Sequence, residues 1–127
     1  MSTDRTNLNG LTEQIIGCAF TVANVMKCGF SEKVYENSLA HELIKNGLLV
    51  QQQFGITVYY DGVVVGTYTG DLLVEGVVLV ELKAVGTLEP AHSAQCLNYL
   101  AATGLPLCLL LNFGRPRLET KRLIFGP

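Results

Sequence analysis

One stretch of this sequence decides the predicted fold: Gly70-Asp71-Leu72-Leu73-Val74-Glu75-Gly76-Val77-Val78-Leu79-Val80-Glu81-Leu82-Lys83-Ala84. Two apolar runs flank a turn at Glu75-Gly76, which is typical of a β-hairpin. Glu81 and Lys83 interrupt the second run at a spacing of two, so their side chains point to the same face of the strand. Because a buried charge is unfavourable unless it is paired or bound to metal, this face is a candidate site.

The pairing register of the hairpin decides whether Asp71 can meet Glu81. A two-residue loop at Glu75-Gly76 would pair Asp71 with Val80 and put the two carboxylates on opposite faces. A three-residue loop, or one bulge, would put Asp71 across from Glu81, with the Cβ atoms about 5 Å apart. Carboxylates this close repel unless a cation lies between them, so we predict the second register together with Mg²⁺ or Mn²⁺. The alternative is an ion pair of Glu81 and Lys83 on a solvated strand end.

Length and composition indicate one small domain. The chain has 127 residues, 49% of them hydrophobic, and no apolar run approaches the roughly 18 residues that a membrane span requires. We expect a flexible tail over residues 1–10 and a single domain over residues 11–127. The polar first ten residues lack the apolar stretch of a secretory signal, so the expected location is cytoplasmic. A net charge of −2 argues against tight, sequence-independent DNA binding by a monomer.

Apolar periodicity and turn residues predict the order α, α, a run of antiparallel strands, α, β, β. This order implies an α/β fold in which a mixed sheet is flanked by helices. The four cysteines lack the spacing of a zinc site and are expected to be reduced core residues. The predicted helices begin at Leu11, after Ser31 and at Pro90; the predicted strands are 48–54, 56–60, 63–68, 71–74, 77–84, 107–113 and 121–125.

The motif Gly29-Phe30-Ser31-Glu32-Lys33-Val34-Tyr35 resembles the G-x-x-E-x-x-Y signature of the GxxExxY proteins, a branch of the PD-(D/E)XK nuclease superfamily. The resemblance runs from about Leu11 to Phe125. It includes the segments 58–62, 71–74, 80–84 and 112–113. It implies a PD-(D/E)XK core similar to that of restriction endonucleases, and a nuclease that depends on a divalent metal. One common family variant has Arg-Ala where this chain has Thr69-Gly70, a departure that removes a phosphate contact.

The resemblance also implies roles for individual residues. Asp71, Glu81 and the backbone carbonyl of Leu82 would be metal ligands, and Glu32 would be a helical carboxylate facing the same site. Lys83 would orient the attacking water. Two residues of the third helix would complete the site, because they match a Q-x-x-x-Y motif found beside the catalytic pocket of many relatives; they are Gln95 and Tyr99.

Each of these residues also has a purely structural explanation. Glu32 could be a first-turn acid favoured by the helix dipole, and Gln95 and Tyr99 could form an ordinary helix face. We expect Tyr35 to lie in the core with its hydroxyl reaching the site, and Glu36 to be solvated. The two histidines, His41 and His92, do not have the sequence spacing typical of metal ligands, and we expect both at the surface.

Four of the nine basic residues fall within eight positions near the end of the chain: Arg115, Arg117, Lys121 and Arg122. They could form a phosphate-binding patch, or a charged strand edge that prevents pairing with other sheets. Two functions follow as hypotheses. The first is a metal-dependent nuclease acting on DNA or RNA, and the second is a non-catalytic module that binds nucleic acid or protein. The small basic cluster and the high apolar content favour a homodimer or a partner protein.

Overall fold

The computed structural model describes residues 5–125, with side chains from residue 8 onward. The predicted order of elements is confirmed, and no helix in the described part of the chain is long and apolar enough to cross a membrane. The elements are α1 (Arg5–Met26), α2 (Glu32–Lys45), β1 (Val50–Tyr60), β2 (Val63–Val74), β3 (Val78–Lys83), α3 (Pro90–Thr103), β4 (Leu107–Asn112) and β5 (Glu119–Ile124).

The first helix begins at Arg5, six residues before the predicted start at Leu11. Residues 5–10 of the predicted tail are therefore helical, residues 1–4 lie outside the described part, and the flexibility of the tail stays a prediction. The early start has a packing explanation, since Leu8 contacts the apolar cluster beneath the helix. Burial of this one leucine was not evident from the polar residues around it.

The five strands form one mixed sheet in the order β1-β2-β3-β4-β5. All neighbours are antiparallel except β3 and β4, which are parallel and are joined through α3. This crossover places α3 on one face of the sheet, where it contacts β1, β4 and β5. Every residue of β4 is buried, which confirms the prediction of a central strand covered on both faces.

The hairpin of β1 and β2 turns at Asp61-Gly62, as predicted from this dipeptide. Both turn residues have positive φ, +54° and +76°, which suits a two-residue hairpin turn. The structure differs from the prediction in strand number, because four predicted segments merge into two long strands. Gly55 and Thr69 pair across the hairpin, so the positions taken for breaks lie inside the ladder.

Apolar clusters cover both faces of the sheet. Val80 and Leu82 of β3 pack with α1 and α2, whereas Leu79 packs with α3 on the opposite face. Since side chains alternate along a strand, Glu81 and Lys83 share the α3 face with Leu79. The α3 face of β3 is therefore where charged groups and a helix meet.

Tyr35 lies in the core, as predicted, and is fully buried. Its ring stacks on Phe113 with a centroid distance of 4.8 Å. The hydroxyl donates to the Lys27 carbonyl and accepts a hydrogen bond from the Phe30 amide, so it ties down the loop between α1 and α2. The expectation that this hydroxyl reaches the site is wrong.

All four cysteines are free. Cys18, Cys96 and Cys108 are buried, which agrees with their predicted place in the core. Cys28 is exposed just after α1, so its assignment to the core is wrong.

The loop after β3 is fixed by Asn112, a fully buried polar residue at the end of β4. Its side chain accepts from the Val85 and Gly114 amides and donates to the Val85 carbonyl. The chain at Gly114 runs so close to the backbone of Ala84 and Val85 that a Cβ atom would overlap it. This contact holds the segment directly after Lys83.

We predict that Gly114→Ala lowers the free energy of unfolding by about 1–3 kcal/mol, because the added methyl group must displace backbone that cannot rotate away. Urea denaturation measures the change. Gly86→Ala is the matched control, since nothing lies within 4 Å of a Cβ atom at that exposed loop position. Equal stability of the two variants would contradict the close approach at residue 114.

Candidate active site

Strands β2 and β3 diverge at Asp71 and Glu81. Their ladder runs from Val74↔Val78 to Leu72↔Val80, which corresponds to a three-residue loop at residues 75–77. The next positions in this register are Asp71 and Glu81. The predicted three-residue loop is therefore confirmed, and continuing this register would place Asp71 across from Glu81.

The two carboxylates hold each other's strands through backbone amides. The Asp71 amide donates to Glu81 Oε2 at 2.8 Å, and the Leu82 amide donates to Asp71 Oδ2 at 2.8 Å. These two carboxylate–amide bonds replace the backbone-to-backbone hydrogen bonds that would otherwise continue the β2–β3 ladder. Gly70 leaves room for the arrangement, because a Cβ atom there would lie 3.3 Å from Glu81 Oε2.

Burial makes the pair electrostatically unfavourable without a cation. Glu81 is only 4% exposed. Burial, followed by the nearby Asp71 carboxylate, raises the pKa of Glu81 to about 8. The pKa of Asp71 is also raised, chiefly by burial, and the charges of Glu36 and Glu32 add to this shift. Lys83 opposes both shifts without cancelling either.

Helix α3 adds two of the predicted side chains. Lys83 Nζ donates to Gln95 Oε1 at 3.5 Å. Tyr99 lies one turn after Gln95 and is buried. Burial raises the pKa of Tyr99, and the charges of Glu81 and Asp71 raise it further, so its hydroxyl lies within their field. The structure thus places Gln95 beside Lys83 and Tyr99 within the field of the carboxylates, and the catalytic roles of both residues stay predictions.

Leu82 contributes only backbone, because its side chain is buried on the opposite face. Its amide is directed to Asp71, whereas the carbonyl of the next residue, Lys83, accepts from Phe113 on the β4 side. Since carbonyls alternate in direction along a strand, the Leu82 carbonyl faces the Asp71 side. Its predicted role as a metal ligand agrees with this direction.

The structure does not bring Glu32 into the site as predicted. Glu32 is exposed in the first turn of α2. Across residues 5–125, no three acidic, histidine or cysteine side chains come close enough together to hold an ion. Glu32 affects Asp71 through its charge alone.

Glu36, one turn after Glu32, is the carboxylate that sequence reasoning missed. It is 4% exposed, which overturns the prediction that it is solvated. It accepts hydrogen bonds from Gln52 at 2.8 Å and Gln53 at 2.9 Å, and it pairs with Lys33 at 3.3 Å. The available signal was the run of three glutamines at the start of β1, which supplies amide donors for a buried acid.

The basic cluster does not form one patch. Lys121 and Arg122 alternate on the edge strand β5, so they lie on opposite faces of the sheet. Lys121 donates to Ser93 of α3, and Arg122 donates to Asn9 of α1. Arg115 and Arg117 are exposed in the loop before β5. The structure thus separates members of this cluster and agrees with a charged strand edge at β5, and phosphate binding by these four residues stays a prediction.

Both histidines were predicted to lie at the surface. His41 is exposed on α2. His92 accepts a hydrogen bond from the Glu89 amide at 2.9 Å and completes a capping box at the start of α3. Its role is therefore structural.

The donor set at the divergence suits a hard divalent cation. Two carboxylates and a backbone carbonyl supply only oxygen atoms, which Mg²⁺ and Mn²⁺ prefer. Mg²⁺ is commonly held by one or two carboxylates, with water and substrate phosphate filling the other positions. The pair of Asp71 and Glu81 fits this pattern without a third acidic side chain.

Known proteins resemble this chain in sequence profile and in fold. The sequence profile of the PD-(D/E)XK nuclease superfamily matches residues 9–123. None of the curated proteins compared with this sequence matches it.

Two crystal structures of LHK-Exo, an alkaline exonuclease from Laribacter hongkongensis, are similar to the fold. The first has a TM-score of 0.54 at 16% identity and covers 99% of this chain and 73% of its own. The second, a complex with dAMP, has a TM-score of 0.51 at 18% identity and covers 85% of this chain and 76% of its own. At these identities the similarity shows the fold alone. Because the superfamily profile spans most of the chain and the fold agrees with it, this protein belongs to the PD-(D/E)XK nuclease superfamily.

Proposed function

We propose that this protein is a divalent-metal-dependent nuclease that hydrolyses phosphodiester bonds of DNA or RNA. One observation carries the proposal: Asp71 and Glu81 meet at the divergence of β2 and β3, with their strands held by two reciprocal carboxylate–amide hydrogen bonds. Superfamily membership supports the same reaction class. The Gly29, Glu32 and Tyr35 signature supports a place among the GxxExxY proteins.

Asp71, Glu81 and the Leu82 carbonyl would hold Mg²⁺ or Mn²⁺. The ion supplies positive charge that activates water for attack and neutralises the phosphate. The protein residues hold their positions without it, because the backbone amides of Asp71 and Leu82 fix the carboxylates. Such preorganisation limits the rearrangement needed when substrate arrives.

Lys83 would stabilise the negative charge that develops on phosphate and would orient the attacking water. Its ammonium group lies on the same strand face as Glu81, and Gln95 accepts its hydrogen bond. Gln95 therefore positions Lys83. Tyr99 closes the α3 side of the site. Its hydroxyl keeps its proton because burial and the charges of the two carboxylates raise its pKa.

A non-catalytic module that binds nucleic acid or protein is the competing function. The net charge of −2 and the division of the basic cluster between two sheet faces favour it. Asp71, Glu81 and Lys83 favour the enzyme, because a binding module gains nothing from placing the half-buried Asp71 carboxylate beside the buried Glu81 carboxylate.

We expect the wild-type protein to cleave nucleic acid only when Mg²⁺ or Mn²⁺ is present. A screen over single- and double-stranded DNA and RNA measures this, with product size followed on denaturing gels. Glu81→Gln should abolish cleavage because it removes a charged oxygen ligand. Lys83→Ala should slow it about 100-fold because electrostatic stabilisation is lost.

Glu13→Gln is the control for the glutamate substitution, since it makes the same chemical change on an exposed position of α1. It should cleave as the wild type does. Cleavage by Glu81→Gln at the wild-type rate would contradict the proposed site. Binding of nucleic acid without cleavage under any metal condition would favour the non-catalytic module.

The raised pKa of Glu81 predicts how stability depends on pH. In the metal-free protein Glu81 binds its proton more tightly when folded, with a pKa of about 8 against 4.5 for the unfolded chain. The resulting stability is fully present below pH 4.5 and is lost as pH rises through about 8. Thermal melts from about pH 5 to pH 9 should show a falling midpoint.

Two controls connect this pH dependence to the site. Glu81→Gln should flatten the curve between about pH 5 and pH 8, since the amide does not titrate. Millimolar Mg²⁺ or Mn²⁺ should raise the wild-type midpoint most at high pH, where both carboxylates are ionised. A pH-independent midpoint, or no effect of metal, would contradict the account.

We also propose a homodimer. Valines 63–65 lie at the tip of the β1–β2 hairpin, and each is more than half exposed. This apolar tip is suited to cover by a second copy. Light scattering at micromolar concentration should give twice 13.8 kDa for the wild type and a monomer for Val64→Lys. A wild-type monomer would contradict the proposal.

A further inference from the structure

A groove lies between α3 and the β1–β2 hairpin, next to the candidate active site. Its volume is about 720 Å³. Gln95 and Tyr99 line one wall, so the groove and the carboxylate pair share side chains. The opposite wall comes from Val58, Tyr59 and Tyr68 of the hairpin. A molecule bound at the active site could therefore extend directly into this groove.

The lining of this tyrosine groove contains no charged side chain among the residues that the structure describes. A phosphodiester would lose its hydration there without gaining an opposite charge. A nucleobase is better suited, because its faces are apolar and its edges need only neutral hydrogen-bonding groups. Lack of charge thus favours the base rather than the backbone of a nucleic acid.

Aromatic side chains supply faces on which a base can stack. The rings of Tyr68 and Tyr99 pack with centroids 5.7 Å apart, and Tyr68 remains 53% exposed. Tyr59 is 64% exposed on the same wall. Because Tyr68 already packs on Tyr99, its exposed ring is held in place and loses little freedom when a base stacks on it.

The polar groups of the groove are amides. Asn98 lies on α3 between Gln95 and Tyr99, and it faces the groove with them. An amide side chain offers both donors and an acceptor, which matches the edge of a base. Small side chains such as Ala94 and Ala101 form the rest of the helix face and leave space for a flat ring.

We infer that the tyrosine groove binds an unpaired nucleobase adjacent to the phosphate that is cleaved, so the substrate is single-stranded nucleic acid. This inference rests on the proposed nuclease function. In a duplex both faces of each base are covered by neighbouring pairs, and the base cannot enter the groove until it is unpaired. Any base can stack on tyrosine, so the groove would select single strands over duplexes without selecting a particular sequence.

The test compares two labelled single strands that carry the same phosphates. One is a short oligothymidylate, and the other is an abasic strand of equal length. Fluorescence anisotropy in EDTA measures binding without cleavage. Wild-type protein should bind the base-containing strand roughly tenfold more tightly. Tyr68→Ala should remove most of this difference, and Ala94→Phe should do the same by filling the groove.

Tyr60→Ala is the matched control, because this tyrosine lies on the same hairpin but outside the groove lining. It should keep the wild-type preference. Equal affinity of the wild type for both strands, or an unchanged preference in Tyr68→Ala and Ala94→Phe, would overturn the inference. Tighter binding of duplex than of single strand would overturn it as well.

Cleavage separates this inference from the proposed function. If the groove is wrongly assigned, metal-dependent cleavage of the oligothymidylate persists without any base preference in binding. If the nuclease function is wrong, cleavage is absent with every metal while the preference for bases over abasic sites remains. Loss of both would overturn both proposals.

Discussion

The close approach of two carboxylates, half-buried Asp71 and buried Glu81, is the constraint on which the rest of the site depends. Each accepts a hydrogen bond from a backbone amide near the other, so the divergence of β2 and β3 and the position of the charges are one structural feature. Burial disfavours both charges, and their mutual repulsion adds to this cost. A cation between the two groups would relieve both effects, and for this reason the proposed function includes a metal ion.

Much of this constraint could be predicted from the sequence. The spacing of Glu81 and Lys83 fixes a shared strand face, and the repulsion argument selects the register that the structure has. The i, i+4 spacing of Gln95 and Tyr99 likewise predicts a shared helix face. These inferences succeeded because strand alternation and helix periodicity are local rules that tertiary contacts do not alter.

Other features depend on contacts between distant segments, and local patterns do not reveal them. Glu36 is buried because glutamines of β1, which follow it by sixteen and seventeen positions, donate to it. Lys121 and Arg122 adjoin in sequence but lie on opposite faces of β5. A count of basic residues along the sequence therefore does not show whether their side chains share one surface. The break predicted inside β1 fell at Gly55, and only the pairing of Gly55 with Thr69 across the hairpin shows that the strand continues there.

The distribution of charge around the site separates two kinds of recognition. Charged groups gather at the divergence of β2 and β3, whereas the tyrosine groove beside α3 is neutral and aromatic. Phosphate chemistry would thus be confined to the first region and base stacking to the second. Gln95 belongs to both, because it accepts the hydrogen bond of Lys83 and lines the groove.

The central claim, that Asp71 and Glu81 form a cation site, is tested most directly by titrating the protein with Mn²⁺ and following paramagnetic broadening of its backbone amide resonances. The account predicts that the amides of Asp71 and Leu82 broaden first and that Glu81→Gln removes the effect. Broadening centred on another acidic segment, such as Glu42 in α2, or uniform broadening over the whole chain, would contradict it.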